Sequence, residues 1–176
     1  MSNEEVIIRE IREISTRYKS MVVSGEEGVG KITNTLSALR NNDHVYYIGN
    51  PVDYIGKPRP KGYDKYINYI TTLKHDMTIM AEESEILALP SLLPSDREAT
   101  LIIDEVFGRS EAQYDTLSEL LGRDPVKAFL ITGCLKNIGR LVHHIDAVLM
   151  LTQDGVLVFD KEFARQVCAV LRPEAL

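Results

Sequence analysis

Residues 24–33 of this 176-residue chain read SGEEGVGKIT, and this stretch decides the fold. The residues at 21–23 before it are all apolar, and the residues after it carry apolar side chains at helical spacing. The predicted order is therefore a strand, a glycine-rich loop and a helix. Gly25, Gly30 and Lys31 have the G-x-x-x-x-G-K spacing of a phosphate-binding loop.

Each part of this loop has a chemical role. Glycines allow the backbone to curl until successive N–H groups point inward, which makes an anion-binding nest at a helix N-terminus. The ammonium group of Lys31 adds a positive charge for the β- and γ-phosphates of a nucleotide. The sequence thus predicts a binding site for ATP or ADP formed by Gly25, Glu26, Glu27, Gly28, Val29, Gly30, Lys31, Ile32 and Thr33.

One position of the loop departs from the pattern. Phosphate loops carry Ser or Thr directly after the lysine, and the hydroxyl of that residue binds the Mg²⁺ that accompanies the nucleotide. Here the position is Ile32, and Thr33 lies about 100° further round the helix. We therefore expect nucleotide binding with weak or absent hydrolysis.

A second motif, ATLIIDE at residues 99–105, reads as a strand that is buried on both faces of a parallel sheet. Such sheets bind ligands at the carboxyl ends of their strands, which is where the two acids lie. We predict that Asp104 binds Mg²⁺ and that Glu105 polarises the attacking water, with Lys31 as the catalytic cation. Thr132 ends the next apolar strand and either contacts the γ-phosphate or caps that strand.

Composition and charge narrow the class of protein. A chain with 44% hydrophobic and 26% charged residues fits one globular domain over residues 1–176, with a helix at 3–18, a core at 20–160 and a final helix at 161–172. The net charge of −6 disfavours a broad nucleic-acid surface and leaves only the basic cluster at 57–61 for such a contact. No apolar run reaches the ~18–20 residues that span a membrane, and the N-terminus is acidic, so we expect a cytoplasmic location without membrane contact.

Strand and helix patterns alternate along the chain, which predicts an α/β fold with a mostly parallel central sheet and helices on both faces. Asp154-Gly155, between two apolar runs, predicts a two-residue hairpin that adds a C-terminal antiparallel strand. Pro90 is expected to break a helix that begins at Glu82. The solvated face of the first helix is expected to carry Arg9, Glu10, Arg12 and Glu13.

Taken in order, these features resemble the RecA/KaiC-like P-loop ATPases, the branch that holds bacterial recombination and replicative-helicase motor domains. The resemblance covers roughly residues 20–160 and rests on four segments: the phosphate loop, the strand HVYYIG at 44–49, the acid-bearing strand at 101–104, and the stretch from Thr132 to the apolar run ending at Leu151. It implies a RecA-like P-loop NTPase fold, ATP with Mg²⁺ as ligands, and work as an oligomer.

The chain also departs from that family. Ile32 replaces the magnesium-binding hydroxyl, and Asn50-Pro51 stands where the family carries a catalytic glutamate after its second strand. Glu105 could substitute for that glutamate, as in the adjacent Asp-Glu of the AAA+ ATPases, the competing family. Arg109 and Arg140 are candidates for a finger arginine, and surface solvation is the role expected for each.

Three functions remain open from the sequence. The leading one is a nucleotide-binding module that acts as a regulatory or accessory subunit, either as a homo-oligomer or beside a larger ATPase. The second is an active Mg²⁺-dependent ATPase, RecA-like or AAA+-like, that works as an oligomer. The third is an accessory protein of DNA repair or recombination, which rests on fold analogy alone.

Overall fold

The computed structural model describes residues 1–49, 63–80, 82–104 and 109–171. Helices and strands alternate through most of the described chain, as the sequence patterns predict. In chain order the elements are α1 (Asn3–Ser15), β1 (Ser20–Gly25), α2 (Lys31–Ala38), β2 (Val45–Ile48), α3 (Tyr63–Leu73), β3 (Thr78–Met80), α4 (Glu83–Leu92), β4 (Ala99–Asp104), α5 (Glu111–Leu121), β5 (Val126–Ile131), a 3₁₀ segment (Leu135–His144), β6 (Ala147–Leu151), β7 (Val156–Asp160) and α6 (Lys161–Leu171).

The strands form a seven-stranded sheet in the order β3-β2-β4-β5-β1-β6-β7. Neighbouring strands from β3 to β6 are parallel, and β7 pairs antiparallel with β6. The expectation of a mostly parallel sheet with one C-terminal antiparallel strand is confirmed. The strand that carries the phosphate loop, β1, therefore lies two strands away from the acid-bearing strand β4, with β5 between them.

The central strands are buried because helices cover both faces of the sheet. Alternate residues of β4 point to opposite faces, so Leu101 and Ile103 belong to one buried cluster and Ile102 to the other. The first cluster lies under α4, α5, the 3₁₀ segment and α6, and the second lies under α1, α2 and α3. Ile102 and Tyr47, its partner on β2, are both fully buried on the second face.

The first helix begins as predicted and ends earlier. Ser2 and Glu5 form a capping box at its start, and the helix ends at Ser15 rather than at residue 18. Arg9, Arg12 and Glu13 of the expected solvated face are exposed, and two residues of that face also make tertiary contacts. Glu10 accepts the N–H of Val156 at 2.8 Å, and Arg12 donates to carbonyl oxygens at the C-terminal end of α2, where acceptors lack helical partners.

Pro90 does not break its helix, so that prediction was wrong. The helix α4 continues through Pro90 to Leu92, with the loss of the one backbone hydrogen bond that a proline cannot donate. The guanidinium of Arg123 donates to the carbonyl oxygen of Pro90 at 2.9 Å, and the N–H of Leu93 donates to Leu89 O at 3.1 Å. These bonds hold the last turn in place.

The β6–β7 hairpin forms where Asp154-Gly155 predicted it, with a different turn. Residues 152–155 connect the strands, and Thr152 N–H donates to Gly155 O at 2.9 Å. The Thr152 hydroxyl accepts the N–H groups of Asp154 and Gly155 at 3.2 Å each. A threonine side chain at the start of the turn therefore organises it, in place of a two-residue Asp-Gly turn.

Candidate functional site

The phosphate loop connects the carboxyl end of β1 to the N-terminus of α2, at the edge of the sheet where α/β folds place their ligands. Gly25, Gly28 and Gly30 all have positive φ angles, of 146°, 82° and 89°. The curl of the loop depends on these conformations, which side chains other than glycine rarely adopt. The predicted strand, glycine loop and helix are all present.

Two of these glycines are also required by close packing. A Cβ atom on Gly25 would lie 2.7 Å from the carbonyl oxygen of Leu151, at the end of β6. A Cβ atom on Gly30 would lie 2.9 Å from Nδ2 of Asn34, a buried side chain one turn along α2. The loop is thus fitted closely between the tip of β6 and its own helix.

Lys31 is the first residue of α2, and its side chain folds back over the loop. Its Nζ atom donates to the carbonyl oxygens of Gly25 and Glu26, each at 3.1 Å. These bonds hold the ammonium group directly above the loop backbone. The first-turn N–H groups of α2 have no helical acceptors, as at every helix N-terminus, and they add partial positive charge at the same point.

The two residues after Lys31 differ in their surroundings. Ile32 packs against the buried cluster under α1, α2 and α3, as an apolar side chain at this position should. Thr33 lies on another side of the helix, where it lines a cavity of about 350 Å³ together with Asn3 and Glu4 of α1. The N-terminus of α1 therefore borders the phosphate loop, a neighbourhood that the sequence pattern did not predict.

A larger cavity, of about 680 Å³, opens beside the loop. Its volume lies within the ~300–1,000 Å³ typical of small-ligand sites. Three segments enclose it: the loop itself, the residues that follow β5, and the end of β6 with the turn after it. Its lining residues are Ser24, Gly25, Glu26, Glu27, Gly28, Val29, Gly133, Cys134, Leu135, Met150, Leu151, Thr152 and Gln153.

The acid-bearing strand ends level with the phosphate loop. Ile131 on β5 pairs with Val23 on one side and with Asp104 on the other, so the three residues form one row across the sheet. Two strand spacings separate the Cα atoms of Val23 and Asp104, which is about 10 Å. Asp104 thus lies on the same edge of the sheet as the loop, as its sequence position predicts.

The carboxylate of Asp104 is engaged by two tyrosines. Oδ2 accepts a hydrogen bond from the hydroxyl of Tyr66 on α3 at 2.7 Å, and it also accepts one from the hydroxyl of Tyr47 on β2. Tyr47 is fully buried, and Tyr66 packs against the same buried cluster. These three residues are called the Tyr–Asp–Tyr cluster below.

The surroundings of Tyr47 keep its phenol protonated. Burial raises the pKa of Tyr47 far above its ordinary value, and the negative charge of Asp104 raises it further, followed by Tyr66. A neutral phenol is a hydrogen-bond donor, which is what the adjacent carboxylate requires. Tyr47 therefore serves as a permanent donor to Asp104 near neutral pH.

Arg109 joins the ends of β2 and β4. Its Nη2 atom donates to Gly49 O at 2.9 Å and to Asp104 O at 2.8 Å, while Nη1 donates to Gln113 Oε1 at 3.0 Å. The residue is only 6% exposed. Surface solvation was therefore the wrong expectation for Arg109. Arg140 is half-buried and pairs with the carboxylates of Glu111 and Asp115.

Thr132 follows β5 and is buried. Its hydroxyl donates to Cys134 O at 3.1 Å and accepts Cys134 N–H at 3.2 Å, which is the geometry of a strand-end cap. A role for Thr132 at the γ-phosphate stays a prediction. Glu105 and the basic cluster at 57–61 lie outside the described residues, so their assigned roles stay predictions as well.

The described residues near the end of β4 offer few free oxygen ligands for Mg²⁺. The side chain after Lys31 is a hydrocarbon, and Oδ2 of Asp104 already accepts two hydroxyl hydrogen bonds. Among the described residues, no three His, Cys, Asp or Glu side chains come together as a metal-binding group. The group at the end of β4 is therefore a hydrogen-bonded carboxylate, and Mg²⁺ binding by Asp104 stays a prediction.

Sequence reasoning did not identify the tyrosines as part of the site. Tyr66 packs against the core from α3. Its hydroxyl and that of Tyr47 reach Asp104 because β2 lies directly beside β4 and α3 covers that face. A buried tyrosine hydroxyl needs a hydrogen-bond partner, and this requirement is the signal that could have indicated these tyrosines.

Comparisons with known proteins agree with the architecture. No protein-family model and no curated protein sequence matches the chain. One similar solved structure is the assembled ATPase EscN of the enteropathogenic E. coli type III secretion system, in complex with its central stalk EscO. It is 13% identical, with a TM-score of 0.50, over 81% of this chain and 45% of that chain. Another is the VirB11 ATPase of the Brucella suis type IV secretion system in complex with sulphate, 16% identical with a TM-score of 0.48, over 93% of this chain and 54% of that one.

The likeness to EscN is one of fold. The chain shares the α/β architecture of a P-loop-type ATPase. It spans about half the length of the EscN and VirB11 chains. In the part of the chain that the structure describes, no helix combines the length and the apolar character needed to cross a bilayer.

Proposed function

We propose that this chain is a nucleotide-binding P-loop domain of RecA/KaiC-like type that binds ATP or ADP and hydrolyses the triphosphate weakly or not at all. The observation that carries the proposal is the geometry of the phosphate loop. Three glycines with positive φ lead into an α-helix whose first residue, Lys31, holds its ammonium group over the loop. This combination of N–H groups and one cation suits phosphate oxygens.

Binding would use the chain's own groups in a defined way. The loop N–H groups and the first turn of α2 donate to the phosphates, and Lys31 exchanges its bonds with Gly25 O and Glu26 O for phosphate oxygens. The exposed side chains of Glu26 and Glu27 take no part, because the loop contributes through its backbone. The base and sugar occupy the 680 Å³ cavity between the loop, the segment after β5 and the end of β6.

Weak hydrolysis follows from the residue after the lysine. Phosphoryl transfer depends on positioning the phosphate and on neutralising the charge that develops on its oxygens. A Mg²⁺ ion held by a hydroxyl at this position contributes to that neutralisation. Ile32 offers no oxygen and packs into the core instead. Any residual turnover would rely on Lys31, with Glu105 at the attacking water and Thr132 at the γ-phosphate.

A regulatory or accessory role extends this proposal. EscN is described as an assembled ATPase in complex with a central stalk. By likeness of fold, we propose that this chain assembles too, either with copies of itself or beside a larger ATPase. Size-exclusion chromatography with light scattering, with and without ATP, tests the first arrangement: a higher mass in either condition supports self-assembly, and a monomer in both excludes it.

The test of nucleotide binding is a calorimetric titration with ATP of the wild-type chain and two lysine variants. Lys31→Ala should abolish measurable binding because it removes the cation from the loop. Lys161→Ala is the matched control: it removes one lysine at the opposite edge of the sheet, where β7 ends and α6 begins. Wild-type binding that Lys31→Ala leaves unchanged would contradict the proposed site.

A further inference from the structure

We infer that the phosphate site of this chain takes its nucleotide without a divalent cation, and that the Tyr–Asp–Tyr cluster occupies the place a metal would have. The inference rests on the proposed nucleotide-binding function and specifies the form of ligand that is bound: the free nucleotide anion, not its magnesium complex. Three independent features of the site carry it.

The first feature is the state of the Asp104 carboxylate. The two tyrosine hydroxyls approach the same oxygen, Oδ2, from different elements, and one of them belongs to a fully buried side chain. A tyrosine buried in this way cannot turn its hydroxyl towards water. Engaging Oδ2 as a ligand, directly or through bound water, would therefore compete with hydrogen bonds that the fold itself holds in place.

The second feature is the missing oxygen on α2. A cation bound between the loop and Asp104 would take oxygen ligands from the phosphates and from water, and in phosphate loops the hydroxyl after the lysine supplies one more. The side chain on the loop side belongs to Ile32, whose surroundings are apolar. Thr33 does not replace it, since it borders the small cavity next to α1.

The third feature is a fixed positive charge at the end of β4. The guanidinium of Arg109 donates to the main-chain oxygen of Asp104 at 2.8 Å and is itself 6% exposed. A permanently charged group at the end of the same strand makes a dication there less favourable. Metal binding at this edge of the sheet is thus disfavoured by three groups: the tyrosine hydroxyls, a hydrocarbon side chain and a buried arginine.

The experiment compares calorimetric titrations of ATP in excess Mg²⁺ and in excess EDTA. We expect the dissociation constants for ATP in the two buffers to agree within about threefold, which is well below a tenfold difference. A tenfold or greater gain of affinity with Mg²⁺ would overturn the inference and leave the proposed function standing. Absence of binding in both buffers would overturn the proposed function and this inference with it.

A designed variant tests whether the named residues are the cause. Ile32→Thr/Tyr66→Phe supplies the hydroxyl on α2 and releases one hydrogen bond on Asp104, so ATP affinity should become at least about tenfold stronger with Mg²⁺ than with EDTA. Ile32→Thr combined with Tyr69→Phe is the matched control, because Tyr69 lies on the same helix and is half exposed. Circular dichroism and thermal unfolding establish that both variants fold. A folded Ile32→Thr/Tyr66→Phe variant without magnesium dependence would contradict the role assigned to these residues.

Discussion

The hydroxyl of Tyr66 lies 2.7 Å from Oδ2 of Asp104, so that α3 is tied to the end of β4 through a side chain 38 positions away in the sequence. Tyr47 donates to the same oxygen from β2. The acid that the sequence assigns to a metal is thereby part of a hydrogen-bonded cluster that joins three elements. The properties of this cluster and of the neighbouring loop lead to the following predictions.

The stability of the protein should fall at alkaline pH partly through Tyr47. Burial, then the charge of Asp104, raise the pKa of Tyr47, so the folded state keeps a proton that the unfolded state releases above about pH 10. The free energy of unfolding therefore decreases as the pH rises past that value. Urea unfolding from about pH 8 to about pH 11 should show a shallower decrease for Tyr47→Phe than for the wild type.

Two variants are compared with the wild type alongside the unfolding measurements at alkaline pH. At neutral pH, Tyr47→Phe should be less stable than the wild type by about 1 kcal/mol, because Asp104 loses one donor. Tyr69→Phe alters a tyrosine that is 50% exposed and should follow the wild type at every pH. If Tyr47→Phe and the wild type lose stability in parallel above pH ~10, Tyr47 does not hold its proton as described.

Gly30→Ala should destabilise the fold by about 1–2 kcal/mol, through a left-handed backbone conformation that alanine disfavours. The φ angle of Gly30 is 89°, and the new methyl group would lie 2.9 Å from Nδ2 of the buried Asn34. Thermal unfolding measures the loss. Gly122→Ala is the control, since Gly122 has a φ of −80° and its added methyl group makes ordinary contacts. Equal effects of the two substitutions would argue against a strained loop.

Arg109→Ala should destabilise the protein by about 2–4 kcal/mol, because it leaves buried carbonyl oxygens at the ends of β2 and β4 without their charged donor. Chemical denaturation measures this difference. Arg97→Ala removes an arginine whose side chain is 56% exposed and pairs with Asp96 on the surface, so little change is expected there. A stability of Arg109→Ala equal to that of Arg97→Ala would show that Arg109 does not join the strands.

Local patterns predicted most of the elements of this fold. The last helix begins at Lys161 as predicted, and the strand that carries Asp104 ends at that residue. The phosphate loop was predictable because glycine spacing and a following lysine are local requirements of one backbone geometry. The predicted ends of the first helix, at residue 18, and of α4, before Pro90, were wrong. The position of a helix end depends on hydrogen bonds of its last turn, which the local pattern does not determine.

The partners of Asp104 depend on strand order, which local patterns do not encode. Tyr47 and Asp104 are 57 positions apart, and they meet because β2 pairs with β4 in register. The burial of Arg109 has the same origin, since its acceptors lie on two adjacent strand ends. A motif that assigns an acid to a metal contains no information about hydrogen-bond donors on other helices and strands.

The most direct test of nucleotide binding at this site is a two-dimensional ¹H–¹⁵N NMR titration of the labelled protein with ATP. Nucleotide binding here should give the largest shift changes on backbone amides of residues 25–33, followed by residues 133–135 and 150–153 around the cavity. Titration of Lys31→Ala should leave those amides unmoved. No shift changes in the wild type, or changes confined to residues away from the loop and the cavity, would contradict the claim that this loop binds a nucleotide.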